Sequence, residues 1–335
     1  LTREDNGLGN PTTRPTANEQ ILTDEEFAQW TAIVDASYDE NQPWFVSEDD
    51  RPNDPADAAT RPETAEILLS DMINKPYSDP MWETLIDQLT IEEMANLINN
   101  AGFNTQAIDY IGKPRTFDTD GPRGWTGNGT GGSTGIQFAT EVLIASTWNK
   151  ELAYDLGEMI GELGIWGNSD VDSGVKTYTG WYAPAMNTHR SIFDWRYTEY
   201  YSEDGVLAGM MAANSALGAK EKGAYVYIKH FALHEDGNTD RGIFGQSAAS
   251  ASSGLSIWVN EQAMREVYLK PFQLTVELGE AQAAMSSFSR IGSTWAGGSY
   301  ALLTEILRNE WGFEGFVVTD IEIYGYLNAD QMIRA

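Results

Sequence analysis

The chain contains no cysteine, which excludes a disulfide scaffold, a thiolate metal site and a cysteine nucleophile. Histidine is scarce too: His189, His230 and His234 are the three present. The spacing of His230 and His234 lacks the adjacent Glu of a zinc-binding HExxH helix, so a structural or ligand-binding role is expected for them rather than a metal site. Basic residues are few, with 21 Lys and Arg against 50 Asp and Glu and a formal net charge of −29. A sequence pI near 4.2 argues against nucleic acid as a partner, because binding a phosphate backbone takes dense Lys and Arg. No run of about 18 apolar residues exists to span a bilayer. The opening Leu1-Thr2-Arg3-Glu4-Asp5 is neither a start methionine nor a signal peptide, so the chain reads as an excerpt and its compartment is left open. A neutral ligand is expected, with the acidic charge as a solvated coat.

What is present is globular in character. Apolar residues make up 41% and aromatic residues 11% of 335 positions, ample for a buried core in one large domain or two small ones. The 11 Trp and 15 Tyr offer flat rings that suit sugar faces, although core packing accounts for them equally well on composition alone.

Residues 1–79 are expected to be an extended acidic connector. Pro11, Pro15, Pro43, Pro52, Pro55 and Pro62 punctuate it, and the run from Ser47 to Asp57 has almost nothing to bury. Thr23-Asp24-Glu25-Glu26 can cap one short helix carrying Phe27, Trp30 and Ile33. From residue 80 the rhythm changes. Leu85, Leu89, Met94, Leu97 and Ile98 fall on one face of a helix predicted over 81–98, with Thr90-Ile91-Glu92-Glu93 as a capping box. Strands are predicted at 115–119, 142–146, 181–186, 224–229, 283–287 and 316–319. Helices are predicted at 150–163 (entered through Asn149 and left at Gly164), 204–220 (entered at Ser202), 260–278 (interrupted at Pro271) and 300–309. This alternation implies parallel strands with right-handed crossovers. Six strands in order fit most of a TIM-type (β/α)8-like barrel, apparently incomplete at its C-terminal end, over residues 80–335. No glycine-rich dinucleotide loop follows the first strand, which weakens a doubly wound alternative.

A barrel places its site where strands end, and these strand ends are polar. They carry Asp120, then Asn187-Thr188-His189-Arg190 with Asp194 and Arg196, then Lys229-His230, Ser286-Ser287-Phe288 and Thr319-Asp320. Asp320 follows an apolar β-branched run and suits a nucleophile, a metal ligand, a general base or a helix N-cap. Lys229-His230 suits a ligand contact or a buried polar anchor, and Arg196 can pair with Glu199 or Glu203.

Several segments, in order, resemble glycoside hydrolase family 3, the β-glucosidase family. They are Asp120-Gly121-Pro122, Trp195-Arg196 through Ser202-Glu203-Asp204, Lys229-His230-Phe231-Ala232-Leu233, the stretch from Glu261 to Phe272, Met285-Ser286-Ser287-Phe288-Ser289-Arg290-Ile291, and Leu307 through Asp320. The resemblance covers roughly three quarters of the chain. It implies that Asp320 is the nucleophile of a retaining glycosidase, which forms a glycosyl-enzyme that water hydrolyses. It also implies that Asp120, Arg196, Lys229 and His230 hold the hydroxyls of the sugar, with Met285 and Phe288 lining the same subsite. No metal and no cofactor are implied. Phe288 stands where the family usually has Tyr, and Ile321 where it usually has Trp. The loop from His234 to Asp240 also departs from the usual pattern.

The resemblance further implies a general acid supplied by a Glu on a separate α/β-sandwich domain. The long connector reads as the tail of such a domain in front of the barrel. Inside the chain, His234 and Asp236 are the strongest competitors for the acid, while Glu322 has nothing to raise its pKa. The family's N-acetylglucosaminidase branch is a second reading. A noncatalytic carbohydrate-binding barrel is a third.

Overall fold

The computed structural model describes residues 56, 58–125, 136–166, 178–190, 195–234, 256–292, 294–321, 327, 332–333 and 335. The expected helix after Thr23, residues 1–55 of the expected connector, Asp194, Asp236, Asp240 and Glu322 lie outside the described residues. The described part of the stretch before residue 80 contributes Ile67 and Met72 to a small satellite core with Leu85, Leu89, Ile108 and Ile111. Arg61 joins that core to the next element through a paired hydrogen bond to both carboxylate oxygens of Glu93.

The run predicted as one helix is two, α1 (Met81–Asp87) and α2 (Ile91–Asn99). The capping box causes the break. Thr90 Oγ1 accepts the Glu93 N–H at 3.2 Å and Glu93 Oε2 accepts the Thr90 N–H at 2.9 Å, so Thr90 starts a new helix instead of continuing the old one.

Beyond them lie strands β1 (Asn104–Thr105), β2 (Thr116–Asp120), β3 (Gly180–Tyr182), β4 (Tyr225–Phe231), β5 (Ser256–Ile257), β6 (Ala283–Ser286), β7 (Arg290–Ile291), β8 (Thr294–Trp295) and β9 (Phe316–Val318). The main sheet is six-stranded, in the order β1-β2-β3-β4-β6-β9. From β2 onward every pairing is parallel and in chain order, while β1 lies antiparallel on the outer edge of β2. Strands β5, β7 and β8 form a separate small sheet. Parallel strands in sequential order with helices between them are the plan of a (β/α) barrel, here as an open half-barrel among the described residues.

One expected strand is not a strand. Residues 142–146 fall in a short helix, α3 (Glu141–Ala145), entered at Thr140. Its burial is helical rather than alternating: Glu141, Ile144 and Ala145 are buried while Val142 and Leu143 are exposed. An apolar run of four or five residues has too few positions for periodicity to separate the two structures.

Helices α4 (Lys150–Trp166), α5 (Gly205–Glu221), α6 (Lys270–Gly279) and the π-wound α7 (Ala301–Glu310) follow. Asn149 caps α4 as expected, its Oδ1 accepting the N–H groups of Glu151 and Leu152. Gly164 does not end α4; it lets the helix pass against Trp125 and the Tyr178 carbonyl. Asp204 rather than Ser202 caps α5, accepting from Val206 and Leu207. Pro271 opens α6 in its first turn, where the missing N–H is harmless, after a π turn at Met264–Tyr268. Helices α4 and α5 cross almost backbone to backbone. A Cβ on Gly157 would sit 2.0 Å from the Ser215 carbonyl oxygen, and one on Gly218 would sit 2.1 Å from that of Tyr154. The main core lies between these helices and the sheet, around Trp181, Ile228, Phe231, Leu156, Ile160 and Phe272. No helix among the described residues is long and apolar enough to cross a membrane.

Candidate active site

The face of the sheet turned away from the helices carries the polar side chains. Asp118 pairs with Gly180 and Asp120 with Tyr182 across β2 and β3, and Gly180 pairs in turn with Tyr225 of β4. With a side-chain period of two, Asp118, Asp120, Tyr182, Tyr225 and Tyr227 share that face. Lys229 continues it at the end of β4.

At the strand ends, charges from four places in the chain meet. Lys229 Nζ donates to Asp120 Oδ1 at 2.5 Å and lies 3.8 Å from Glu199 Oε2. Arg196 Nη1 donates to Glu199 Oε1 at 2.9 Å and to His230 Nε2 at 2.8 Å. His230 Nε2 is 3.8 Å from Asp320 Oδ2. Asp120, Lys229, Arg196, His230 and Asp320, all expected at the site, are thus joined in one series through Glu199. The lysine, the guanidinium and the imidazole are almost wholly buried, whereas the Asp120 side chain is half exposed. Asp120 is therefore the member open to an arriving ligand.

Backbone details hold these groups. Gly121 adopts φ +129°, a conformation glycine reaches without strain. This turns the chain so that its own N–H reaches Asp120 Oδ1 at 2.8 Å, and Trp181 Nε1 donates to its carbonyl at 2.8 Å. Asn187 grips the His230 backbone from both sides, accepting its N–H at 2.8 Å and donating to its carbonyl at 3.1 Å. Asp320 stands two residues past β9, buried, with Oδ1 accepting the Ile321 N–H at 2.7 Å.

The charge states follow from these contacts. Burial acts to raise the Asp120 carboxyl, but the Lys229 charge and hydrogen bond, the Gly121 N–H and the Arg196 charge outweigh it and hold the pKa below the ordinary value. Burial opposes charge on Lys229, and Asp120 and Glu199 together overcome it, so the ammonium persists. A guanidinium has no acceptor, so His230 Nε2 must accept from Arg196 and the ring proton sits on Nδ1. Nδ1 is 3.4 Å from the Tyr200 hydroxyl, which itself donates to the His234 carbonyl at 3.2 Å. The imidazole is neutral in this arrangement, and its approach to Asp320 is not an ion pair.

Met285 and Phe288 are buried beside these groups' neighbours. Met285 pairs in register with Val318 of β9 and packs with Tyr182 and Tyr227. Phe288 is fully buried against Trp295, with its ring 6.0 Å from that of His234. His234 is buried between Phe288 and His230, with its ring 4.8 Å from the latter. His189 stacks on Tyr197 at 4.3 Å. Among the described residues no group of three or more Asp, Glu or His side chains is arranged to hold a metal ion.

Glu199, expected only to pair with Arg196, also faces Lys229, and Asn187, one polar strand end among several in the sequence, holds the His230 backbone. Tyr200, which meets His230 and the His234 carbonyl, was not among the expected residues. The Arg-x-x-Glu spacing was the available signal for Glu199. A tyrosine that works through its hydroxyl carries no such signal.

Residues 88–330 match the model of the glycosyl hydrolase family 3 N terminal domain. The chain belongs to this family. Over 243 residues it is 33% identical to a beta-glucosidase of Rhizobium radiobacter, covering 72% of this chain and 27% of that protein. It is 34% identical to beta-glucosidase A of Butyrivibrio fibrisolvens, covering 71% of this chain and 27% of that protein. The fold is similar to beta-glucosidase 3B from Thermotoga neapolitana, whose structure holds glucose, with a TM-score of 0.58 at 30% identity over 70% of this chain and 33% of that one. A family 3 beta-glucosidase of Bifidobacterium adolescentis aligns with a TM-score of 0.64 at 28% identity, over 74% of this chain and 33% of that one. This family 3 chain thus spans about a quarter to a third of the length of these relatives.

Proposed function

We propose that this family 3 segment is the sugar-binding, nucleophile-bearing part of an exo-acting retaining β-glucosidase that removes terminal β-linked sugars. The series Asp120–Lys229–Glu199–Arg196–His230–Asp320 is the observation that carries the reading. A sugar ring is a neutral polyol, recognised by a carboxylate that accepts two hydroxyl protons beside cations that donate. Asp120, ionised and half exposed, suits the first task. Arg196 and Lys229 suit the second and hold Asp120 in its charged form.

In this mechanism an Asp320 oxygen attacks the anomeric carbon as the bond to the leaving oxygen breaks and that oxygen takes a proton from a general acid. Water then attacks the same carbon, giving its proton to the conjugate base of that acid and releasing Asp320. His230, neutral with its proton on Nδ1, presents a lone pair to Arg196 and adds no second positive charge beside Asp320. The general acid is a carboxyl from outside the described residues, which we assign to a Glu of a separate α/β-sandwich domain. His234 is a poor substitute, because it lies buried beneath Phe288 and His230. Its burial also disfavours the N-acetylglucosaminidase branch as the second reading.

The deciding experiment is incubation of the chain with an aryl 2-deoxy-2-fluoro-β-glucoside. Its good leaving group needs no acid, and the fluorine slows breakdown of the covalent intermediate. Peptide mass analysis is expected to place the glycosyl adduct on Asp320. An adduct on another carboxyl would overturn the assignment, and saturable sugar binding without any adduct would favour a noncatalytic carbohydrate-binding barrel.

A further inference from the structure

Glu141 has no part in the mechanism above, yet its carboxyl is wholly buried at the start of α3. Its Oε1 accepts the Ala185 N–H at 3.3 Å, and its Oε2 is buried with no hydrogen-bond partner. Ala185 is a telling anchor. It forms a parallel bridge to Lys229, the Met186 N–H donates to the Lys229 carbonyl at 2.9 Å, and the Lys229 N–H donates to the Pro184 carbonyl at 3.2 Å. The Glu141 carboxyl therefore holds the backbone that holds the backbone of Lys229.

The titratable groups facing Glu141 come from four other places: Glu199 from the turn Trp195–Glu199, Lys229 from β4, Asp120 from β2, and Tyr201 ahead of α5. Burial first, then the Glu199 charge, and also Asp120, push its carboxyl well above the ordinary range, against the Ala185 N–H and Lys229. Tyr201, pushed up in turn by burial and by Glu141, donates its hydroxyl to Ser215 Oγ at 3.1 Å. A buried carboxyl oxygen without a partner is far less costly neutral than charged. A third carboxylate around the Lys229 ammonium would also compete with Asp120 for it.

We propose that Glu141 is a positioning residue for Lys229, a neutral carboxylic acid that ties α3 to the strand end beside Lys229 and leaves the ammonium to Asp120. Its consequence for turnover rests on the sugar-binding reading of Asp120 and Lys229, whereas its protonation does not.

The test compares the full chain with Glu141→Gln and Glu141→Ala. Infrared spectra near neutral pH are expected to contain a carbonyl stretch of an un-ionised carboxylic acid that Glu141→Gln removes. If no such band is lost, Glu141 is ionised and the proposal fails. Thermal melting supplies a second arm. An acid whose pKa rises on folding contributes stability that is complete below its unfolded value of about 4.3 and is lost as pH rises through the folded value. Glu141→Gln cannot ionise, so its melting temperature should gain on that of the parent as pH rises. A pH-independent gap, or a Glu141→Gln chain that does not fold, overturns the proposal. In the third arm, on an aryl β-glucoside, Glu141→Ala is expected to lower kcat/KM by about a hundredfold through misplacement of Lys229, and Glu141→Gln to restore most of it. Equal losses in the two variants would refute the positioning role. A parent chain that turns over no glycoside refutes the hydrolase reading instead, and the infrared and melting arms then decide Glu141 by themselves.

Discussion

Asp118 and Asp120 lie two residues apart on one face of β2, and their surroundings drive them in opposite directions. Asp118 receives two phenol hydroxyls, from Tyr225 at 2.5 Å and Tyr227 at 2.6 Å. Burial dominates those donors and the distant Lys113 charge, so its carboxyl rises above the ordinary value. Asp120 faces an ammonium at 2.5 Å, and its carboxyl falls. Neutral donors satisfy the wholly buried Asp118 carboxyl without keeping its pKa down, whereas a full positive charge in contact holds the half-exposed Asp120 carboxyl ionised. The floor of the half-barrel is thus a packing site built of tyrosines, and its strand ends are a charged rim. The boundary between them is one turn of the side-chain alternation.

The strongest way to separate the two regions is at the rim. Asp320→Asn keeps the shape and removes the charge. It is expected to lower turnover of an aryl β-glucoside by at least about a thousandfold, on the scale of losing a key charge stabiliser, with the melting temperature little changed. Retained turnover would mean that Asp320 is not the nucleophile.

The paired aspartates offer a sharper comparison. Asp120→Asn should lower kcat/KM by about a hundredfold, the scale of a misplaced reacting group, and should lower kcat as well as raise KM. Asp118→Asn should leave turnover intact and destabilise the chain by about 1–3 kcal/mol, because the two phenols donate to different carboxylate oxygens and the NH2 that replaces one of them cannot accept. The pH dependence of melting should differ in sign. The stabilisation linked to Asp120 is present above the unfolded carboxylate value of about 3.9 and is lost as pH falls through its lower folded value. That linked to Asp118 is complete below about 3.9 and is lost as pH rises through its higher folded value. Each asparagine variant should erase only its own limb, and the same limb erased by both would dissolve the distinction.

The smallest effect is expected at Tyr200→Phe, which removes the hydroxyl that meets His230 Nδ1. A stability loss of about 0.5–1.5 kcal/mol, the net worth of an ordinary hydrogen bond, should accompany a change in the nitrogen chemical shifts of the His230 ring. Unchanged shifts would show that Arg196 alone sets the tautomer.

Much of this was readable from residue order. The parallel strands around 115–120, 225–231, 283–286 and 316–318 were signalled by short apolar runs that end in polar residues, and Asp320 by its place after Val317-Val318-Thr319. The Thr90–Glu93 capping box was legible because its partners are three residues apart. Residues 142–146 were misread because so short an apolar run fits a strand or one face of a helix turn, and only the packing of Ile144 and Ala145 against the core decides. The same error hid Glu141, which as a residue before a strand had no reason to be buried.

Residue order by itself determined which side chains share a face of the sheet and which residues stand at strand ends, because side-chain alternation is a local property of extended backbone. It determined as well the segments by which the chain belongs to family 3. Tertiary structure alone decided which charges meet. Lys229 reaches Asp120 across 109 positions, and Arg196 reaches His230 across 34. It also decided that one aspartate of β2 faces phenols while the next faces an ammonium. The reason is physical: ionisation depends on burial and on the charge of neighbours, and those neighbours come from other strands.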